Sequence, residues 1–99
     1  MSGDPGVYVA IDQGGHASRA VAYDGRGQRL ASAFAVISTH RNALGHVEHD
    51  GEDIVDSVRT ALDELAALVP PGRWVGAGLA VQRSSIACWD RASGALLAP

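Results

Sequence analysis

The chain has 99 residues, a 46% apolar share and a formal net charge of −3, and its eight basic residues are all arginines. This length suits one small domain, and the lack of a basic stripe argues against a nucleic-acid binder, which must neutralise phosphates. We expect neither a membrane span nor a signal peptide, because no apolar run is long enough, and the lone Cys88 predicts a cytoplasmic protein without disulfides.

Residues 7–38 predict three strands joined by short turns. The β-branched, mostly apolar run at 7–12 is typical of a strand buried on both faces. A second strand pattern covers 18–23, a turn signal of Asp-Gly-Arg-Gly follows at 24–27, and a third strand is predicted at 29–38. Consecutive strands with such short connections predict an antiparallel meander.

A helix is predicted after the polar stretch at 39–48. Asp50 has the chemistry of an N-cap, and Glu52 and Asp53 would lie in the first turn, where the helix dipole favours acidic side chains. The Pro-Pro-Gly sequence at 70–72 would end the helix. Between these limits, one apolar stripe recurs at helical spacing, formed by Ile54, Val58, Ala61, Leu62, Leu65 and Val69.

Two further strands are predicted after the helix. Residues 75–81 read as a second buried strand, and residues 86–90 as another, which a turn at 92–94 would lead back toward Leu96. The order β-β-β-α-β-β predicts a mixed α/β sheet rather than a repeating β-α-β arrangement.

The first candidate site lies at the end of the first predicted strand, where Asp12-Gln13-Gly14-Gly15-His16 combines a carboxylate with two glycines. Glycines let backbone N–H groups approach an anion, and a carboxylate can hold magnesium directly or through water. Arg19, on the next strand, could reach the same phosphates. The spacing of the dinucleotide fingerprint is absent, so an ordinary hairpin turn is the alternative interpretation.

The second candidate site is Gln82-Arg83-Ser84-Ser85, which follows the predicted strand at 75–81. Ligands of α/β sheets usually bind at the ends of such strands. Amide, guanidinium and hydroxyl groups can hydrogen-bond the hydroxyls of a polyol or sugar. The alternative is a solvated turn in which Arg83 pairs with an acidic residue.

A third motif, His46-Val47-Glu48-His49-Asp50, has histidine spacing unsuited to a helical metal pair and has no cysteine nearby. We interpret it as a polar loop that caps the following helix. Cys88 between Ala87 and Trp89 predicts core packing rather than reactivity, and core or interface packing is also expected of Trp74 and Trp89.

Several of these segments together resemble the FGGY carbohydrate kinases, and the glycerol kinases in particular. Val-Ala-Ile-Asp-Gln-Gly at 9–14, followed by Ser-Arg-Ala-Val at 18–21, is similar to the opening of that family. Residues 47–50 resemble its approach to the first long helix. Gln82-Arg83 and the later Cys-Trp-Asp-Arg at 88–91 resemble its substrate loop and the hairpin after it. The resemblance extends over nearly the whole chain.

The resemblance implies an actin-like, ribonuclease-H-like fold. It also implies ATP and Mg²⁺ as cofactors, and transfer of the γ-phosphoryl group to a hydroxyl of a polyol or sugar, which needs mainly positioning and charge neutralisation. Neither nucleic acid nor a membrane is implied as a partner, and homo-oligomer formation stays open. On this basis Asp12 would hold the metal, the residues beside the phosphates would be Asp12, Gly14, Gly15, His16 and Arg19, and the substrate pocket would include Gln82, Arg83 and Ser84.

The chain departs from the family pattern at both candidate sites. Gly15 and His16 replace a usual pair of threonines, and Ser84 replaces the glutamate that binds a glycerol hydroxyl in glycerol kinases. Family members are several times longer, so we expect residues 1–99 to be the N-terminal part of the first domain. The catalytic base and the second domain would lie downstream, and the chain alone would be inactive.

Two other functions remain open at this stage. The altered residues Gly15 and His16 are compatible with a non-catalytic relative that binds sugar or nucleotide. A ribonuclease-H-like nuclease would need several convergent carboxylates for two metals, and Asp12, Asp24 and Asp90 are the acidic residues near predicted strand ends.

Overall fold

The computed structural model describes residues 6–41, 43–82, 88–89 and 91–98. Its centre is a four-stranded sheet with one long helix packed on one face. Two small two-stranded sheets accompany it. In chain order the elements are β1 (Val7–Gln13), β2 (Ala17–Tyr23), β3 (Arg29–Val36), β4 (His40–Arg41), β5 (Val47–Glu48), α1 (Gly51–Leu68), a 3-10 turn (Pro71–Arg73), β6 (Trp74–Ala80), β7 (Cys88–Trp89) and β8 (Leu96–Ala98).

The strand order in the main sheet is β3-β2-β1-β6. β1 pairs with β2 and β2 with β3 in antiparallel fashion, which confirms the predicted meander. The turn between β2 and β3 has Gly27 at a φ of 82°, a conformation that favours glycine. Asp24 stabilises this turn, because its carboxylate accepts hydrogen bonds from the N–H groups of Arg26 and Gln28. After α1 the chain returns as β6, parallel to β1.

The core lies between α1 and the sheet. Small side chains on β2 and β3 leave room for the helix to pack closely, and apolar residues of α1 fill the space above them. Ser18 and Ser57 are also buried here and are hydrogen-bonded to each other. The core cluster is made of Val7, Val9, Ala20, Ala22, Ala33, Ala61, Leu65 and Val69.

The predicted N-cap of α1 is confirmed. The Asp50 carboxylate accepts a hydrogen bond of 2.9 Å from the N–H of Glu52. The carboxylate of Asp53 accepts another from the N–H of Ser38, and the ring nitrogen Nδ1 of His49 lies 3.2 Å from the Ser38 carbonyl oxygen. The polar stretch before the helix, predicted as a loop, includes the short antiparallel pair β4–β5.

The helix ends at the predicted proline pair. Val69 is the C-cap, and its N–H donates to the carbonyl of Leu65. Trp74 packs against the core as expected, and its indole Nε1–H donates to the Val69 carbonyl at 3.0 Å. The side chains of Cys88 and Trp89 lie outside the described set, so their predicted packing stays a prediction.

Predicted strands 7–12 and 75–81 form, but the prediction that they are buried on both faces is wrong. In β1, Val7 and Val9 face α1 and are buried, whereas Tyr8 and Asp12 on the opposite face are exposed. Every residue of β6 after Trp74 is exposed. The physical reason is that α1 packs mainly over β2 and β3.

Most strand limits differ from the sequence prediction: β1 extends to Gln13, β2 begins at Ala17, and β6 covers Trp74–Ala80 rather than 75–81. β3 ends at Val36 rather than at residue 38. Of the strand predicted at 86–90, Cys88–Trp89 is seen as β7, and residues 86, 87 and 90 lie outside the described residues. No helix in the described part of the chain is long and apolar enough to cross a membrane.

Candidate functional site

Asp12 and Arg19 lie directly opposite each other in the antiparallel pair β1–β2, on the sheet face away from α1. Cβ atoms of such opposed residues are about 4.5–5.5 Å apart. Both residues are exposed, and neither makes an ion pair or hydrogen bond through its side chain within the described residues. A carboxylate and a guanidinium group are therefore both available to a ligand at this end of β1.

The turn between β1 and β2 is a tight hairpin, in which the N–H of Gly14 donates to the carbonyl of Ala17 at 2.9 Å. The His16 carbonyl accepts from the N–H of Ile37, which ties the turn to the end of β3. Gly14 and Gly15 do not have positive φ angles. A Cβ atom on Gly15 would meet nothing within 4 Å, so the glycine leaves open space beside the backbone rather than allowing an unusual conformation.

The hairpin interpretation and the anion-site interpretation are thus compatible. Gly15 and His16 form the exposed tip of the turn. A backbone without side chains can be approached closely by an anion such as a phosphate group.

Gln82, the first residue of the second candidate site, lies beside the first candidate site at the carboxyl ends of β1 and β6. β6 runs parallel to β1 with Ala80 beside Asp12, so the carboxyl ends of the two strands lie side by side. Gln82 is the second residue after β6, and its Nε2 donates to Oε1 of Gln13 at 3.2 Å. Arg83 and Ser84 lie outside the described residues.

Gln13 lies within the Asp12–His16 motif but is not among the predicted site residues. It is 6% exposed and its Nε2 donates to the Gly14 carbonyl at 2.9 Å. It lines a groove of about 460 Å³ between α1 and β6, with Leu62 and Leu79 among the other lining residues. The sequence does contain a signal for the hydrogen bonds of Gln13, because this residue is on the same face of β1 as the buried Val7 and Val9. A polar side chain on a buried face needs hydrogen-bond partners.

The carboxylates required for a two-metal nuclease do not converge among the described residues. Asp12 is opposite Arg19, whereas Asp24 follows the far end of β2, about five residues or roughly 16 Å further along the strand. Asp24 is also bound within its own turn. Asp90 lies outside the described residues, and the described part of the chain has no group of three or more metal-ligating side chains.

Sequence comparison relates this chain to known kinases. The model of the N-terminal domain of the FGGY family of carbohydrate kinases matches residues 7–99. A glycerol kinase of Chelativorans sp. (strain BNC1) is 41% identical over 93 residues, which are 90% of this chain and 18% of that protein. A glycerol kinase of Gluconobacter oxydans (strain 621H) is 37% identical over 87 residues, covering 87% of this chain and 17% of the relative.

Solved structures share the fold. A gluconate kinase from Lactobacillus acidophilus superposes with a TM-score of 0.86 at 22% identity, over 96% of this chain and 19% of that one. Plasmodium falciparum glycerol kinase, solved with ADP, gives a TM-score of 0.82 at 22% identity, over 99% of this chain and 20% of that one. These likenesses confirm the predicted actin-like fold with its mixed sheet.

Proposed function

Because this chain belongs to the FGGY family of carbohydrate kinases, we propose that it acts as the N-terminal part of an ATP-dependent kinase that phosphorylates a hydroxyl of a polyol or sugar. The chain spans 18% of the length of the first glycerol kinase that it matches. The activity is therefore proposed for a whole protein, in which residues 1–99 belong to the first domain. The catalytic base and the second domain would come from the rest of that protein.

The observation that carries this proposal is the contact between Gln82 and Gln13. It links the residues proposed for the acceptor to those proposed for the phosphates. We call residues 12–16 the phosphate turn and residues 82–84 the acceptor loop. Phosphoryl transfer requires the acceptor hydroxyl and the γ-phosphate to be held close together, since positioning provides most of the catalysis.

The residues proposed for the phosphates, Asp12, Gly14, Gly15, His16 and Arg19, have roles that suit their chemistry. Asp12 is an exposed carboxylate without a protein partner in the described chain, which fits a ligand for Mg²⁺ held directly or through water. Bound Mg²⁺ would neutralise charge on the phosphate oxygens. Arg19 can bind a phosphate with two parallel hydrogen bonds, and the backbone of Gly14 and Gly15, with His16 beside it, leaves space for an anion.

The acceptor loop would bind the hydroxyl groups of the substrate. Gln82, Arg83 and Ser84 offer amide, guanidinium and hydroxyl groups for this purpose. The relatives named glycerol kinase suggest glycerol as the first acceptor to test. Ser84 in place of glutamate removes a carboxylate from the pocket, so other polyols and sugars belong in the same test.

A second candidate function is ligand binding without phosphoryl transfer. The observation in its favour is that the tip of the phosphate turn has Gly15 and His16, so no hydroxyl from these positions can contact a phosphate. On this alternative the protein would bind nucleotide or sugar and regulate another process. We place both functions in a reducing cytoplasm, in keeping with the single cysteine of this chain.

The deciding experiment uses the full-length gene product with Mg²⁺ and ATP. ADP formation is measured with glycerol, longer polyols, aldoses and ketoses, and the products are identified by mass spectrometry. We expect ADP formation that depends on one acceptor class and a product heavier by one phosphoryl group. Calorimetric binding of ADP or sugar with no product from any acceptor would instead establish the second candidate.

A further inference from the structure

The side chain of Gln13 connects two loops that are separated by 69 positions in the sequence. Resting on the function proposed above, we infer that Gln13 is a positioning residue that couples Gln82 to the Gly14–Gly15 backbone. It does not touch substrate or nucleotide in this account. It acts through Gln82 on one side and through the Gly14 carbonyl on the other.

The two contacts determine the orientation of the Gln13 amide. Oε1 accepts from Gln82 Nε2 at 3.2 Å, and Nε2 donates to the Gly14 carbonyl at 2.9 Å. An inverted amide would place oxygen against the carbonyl oxygen of Gly14, which is repulsive. Since Gln13 is buried, water does not readily replace either partner, and movement of one contact is transmitted to the other.

The contact with Gly14 also sets the direction of a proposed phosphate-binding group. A trans peptide is planar, so the Gly14 C=O and the Gly15 N–H point in opposite directions. Holding the carbonyl against the Gln13 amide therefore directs the Gly15 N–H away from that amide. The space around Gly15 is open, since a Cβ atom built there would contact nothing within 4 Å.

The backbone ladder does not provide this link by itself. The β1–β6 pairing reaches Asp12 and Ala80, the last paired residues before the two loops. Beyond that point, a contact between the two segments is made by the side chains of Gln13 and Gln82. If acceptor binding moves Gln82, the Gln13 amide and the Gly14–Gly15 peptide would move with it.

The test uses four variants of the full-length protein: Gln13→Leu, Gln82→Leu, the double variant, and Ser57→Ala as the control. Leucine keeps approximate size but makes no hydrogen bond. We expect Gln82→Leu to weaken Mg-ADP binding about fivefold, and Gln13→Leu to raise the KM for the acceptor about fivefold, within the usual range of coupling between sites. The double variant should show no more than the larger single effect.

The control separates coupling from loss of stability. Ser57 is buried and hydrogen-bonded like Gln13, but it belongs to α1 and contacts Ser18. Ser57→Ala should lower Tm and leave both affinities within about twofold of wild type. If Gln13→Leu lowers Tm but leaves the KM for the acceptor unchanged, and Gln82→Leu leaves Mg-ADP binding unchanged, the inference is wrong while the kinase function stands.

A second readout does not depend on catalysis. Hydrogen exchange of a peptide that ends at Ala17, and so excludes the Ser18 contacted by Ser57, is compared among wild type, Gln82→Leu and Ser57→Ala. Faster exchange in Gln82→Leu than in Ser57→Ala supports the link, even if the wild-type protein phosphorylates none of the acceptors. Unchanged exchange in the phosphate turn overturns it.

Discussion

Ser18 Oγ lies 2.6 Å from Ser57 Oγ and joins β2 to α1 inside the core, one residue before Arg19. The hydroxyl of Ser57 also donates to the carbonyl of Ile54 at 2.7 Å. Because each hydroxyl has one hydrogen, Ser57 has none left for Ser18, and Ser18 must be the donor between the two serines. Ser57 would therefore keep a hydrogen-bond acceptor, the Ile54 carbonyl, without Ser18, whereas Ser18 would lose its acceptor without Ser57.

Because Ser18 donates to Ser57, the two alanine variants should lose different amounts of unfolding free energy. Ser57→Ala leaves the buried Ser18 hydroxyl without its acceptor and should cost about 1–3 kcal/mol of unfolding free energy. Ser18→Ala leaves Ser57 bonded to Ile54 and should cost less. Urea unfolding of both variants measures the difference. The double variant should cost less than the sum of the two, and a larger loss in Ser18→Ala than in Ser57→Ala would contradict the assigned donor.

The helix core provides a prediction with a matched control on the same element. Leu65 is 0% exposed within the core, whereas Leu68, three residues later at the end of the helix, is 61% exposed. Leu65→Ala should destabilise the protein by about 2–5 kcal/mol through the lost contacts and the cavity. Leu68→Ala should stay within about 0.5 kcal/mol of wild type. Equal shifts in thermal unfolding would show that α1 does not pack by this face.

The role of Asp50 as the N-cap of α1 can be tested by two substitutions at this position. Asp50→Ala removes the acceptor for the N–H of Glu52 and should cost about 1 kcal/mol. Asp50→Ser keeps a capping oxygen and should retain most of the stability. Thermal unfolding compares the two variants, and a Ser variant as unstable as the Ala variant would rule out capping as the role of Asp50.

The exposed edge of the sheet predicts how the 99 residues behave when produced alone. β6 contains no charged residue and no proline, the features that normally protect an edge strand. Its Leu79 is 63% exposed. We expect poor stability or self-association, seen as a mass that rises with concentration in light scattering. Leu79→Lys should reduce self-association, whereas Leu44→Lys, in an exposed turn, should not.

A sharp thermal transition of a monomeric 99-residue chain would contradict this prediction. In the kinases with this fold, the chain corresponds to about a fifth of the polypeptide. Apolar surface left open by a part of this size is expected to lie against other parts of the protein.

Local features of the fold were predictable because neighbouring residues cause them. Asp50 caps α1 through the N–H groups that follow it, and the turn at Asp24 is closed by that residue's own carboxylate. The meander follows from three consecutive strand patterns joined by short turns. These relations span only a few residues, so the sequence contains all that they require.

Relations between distant elements were not predictable in the same way. Residues 75–81 are as apolar as a buried strand, but their burial depends on which element covers them, and α1 covers β2 and β3 instead. The contact of Gln13 with Gln82 requires the parallel register of β1 and β6. The sequence placed both candidate sites at strand ends but did not show that these ends meet.

The central claim is that the phosphate turn serves phosphoryl transfer, and Asp12 tests it most directly. Acceptor-dependent ADP formation is measured for the full-length wild type, for Asp12→Asn and for Asp56→Asn, an exposed helix carboxylate 3.6 Å from Arg59. We predict that Asp12→Asn loses about 100-fold in kcat, the scale expected when charge stabilisation is removed, while Asp56→Asn keeps wild-type activity. Equal activity of the two variants, or a wild type that turns over no acceptor, would contradict the account.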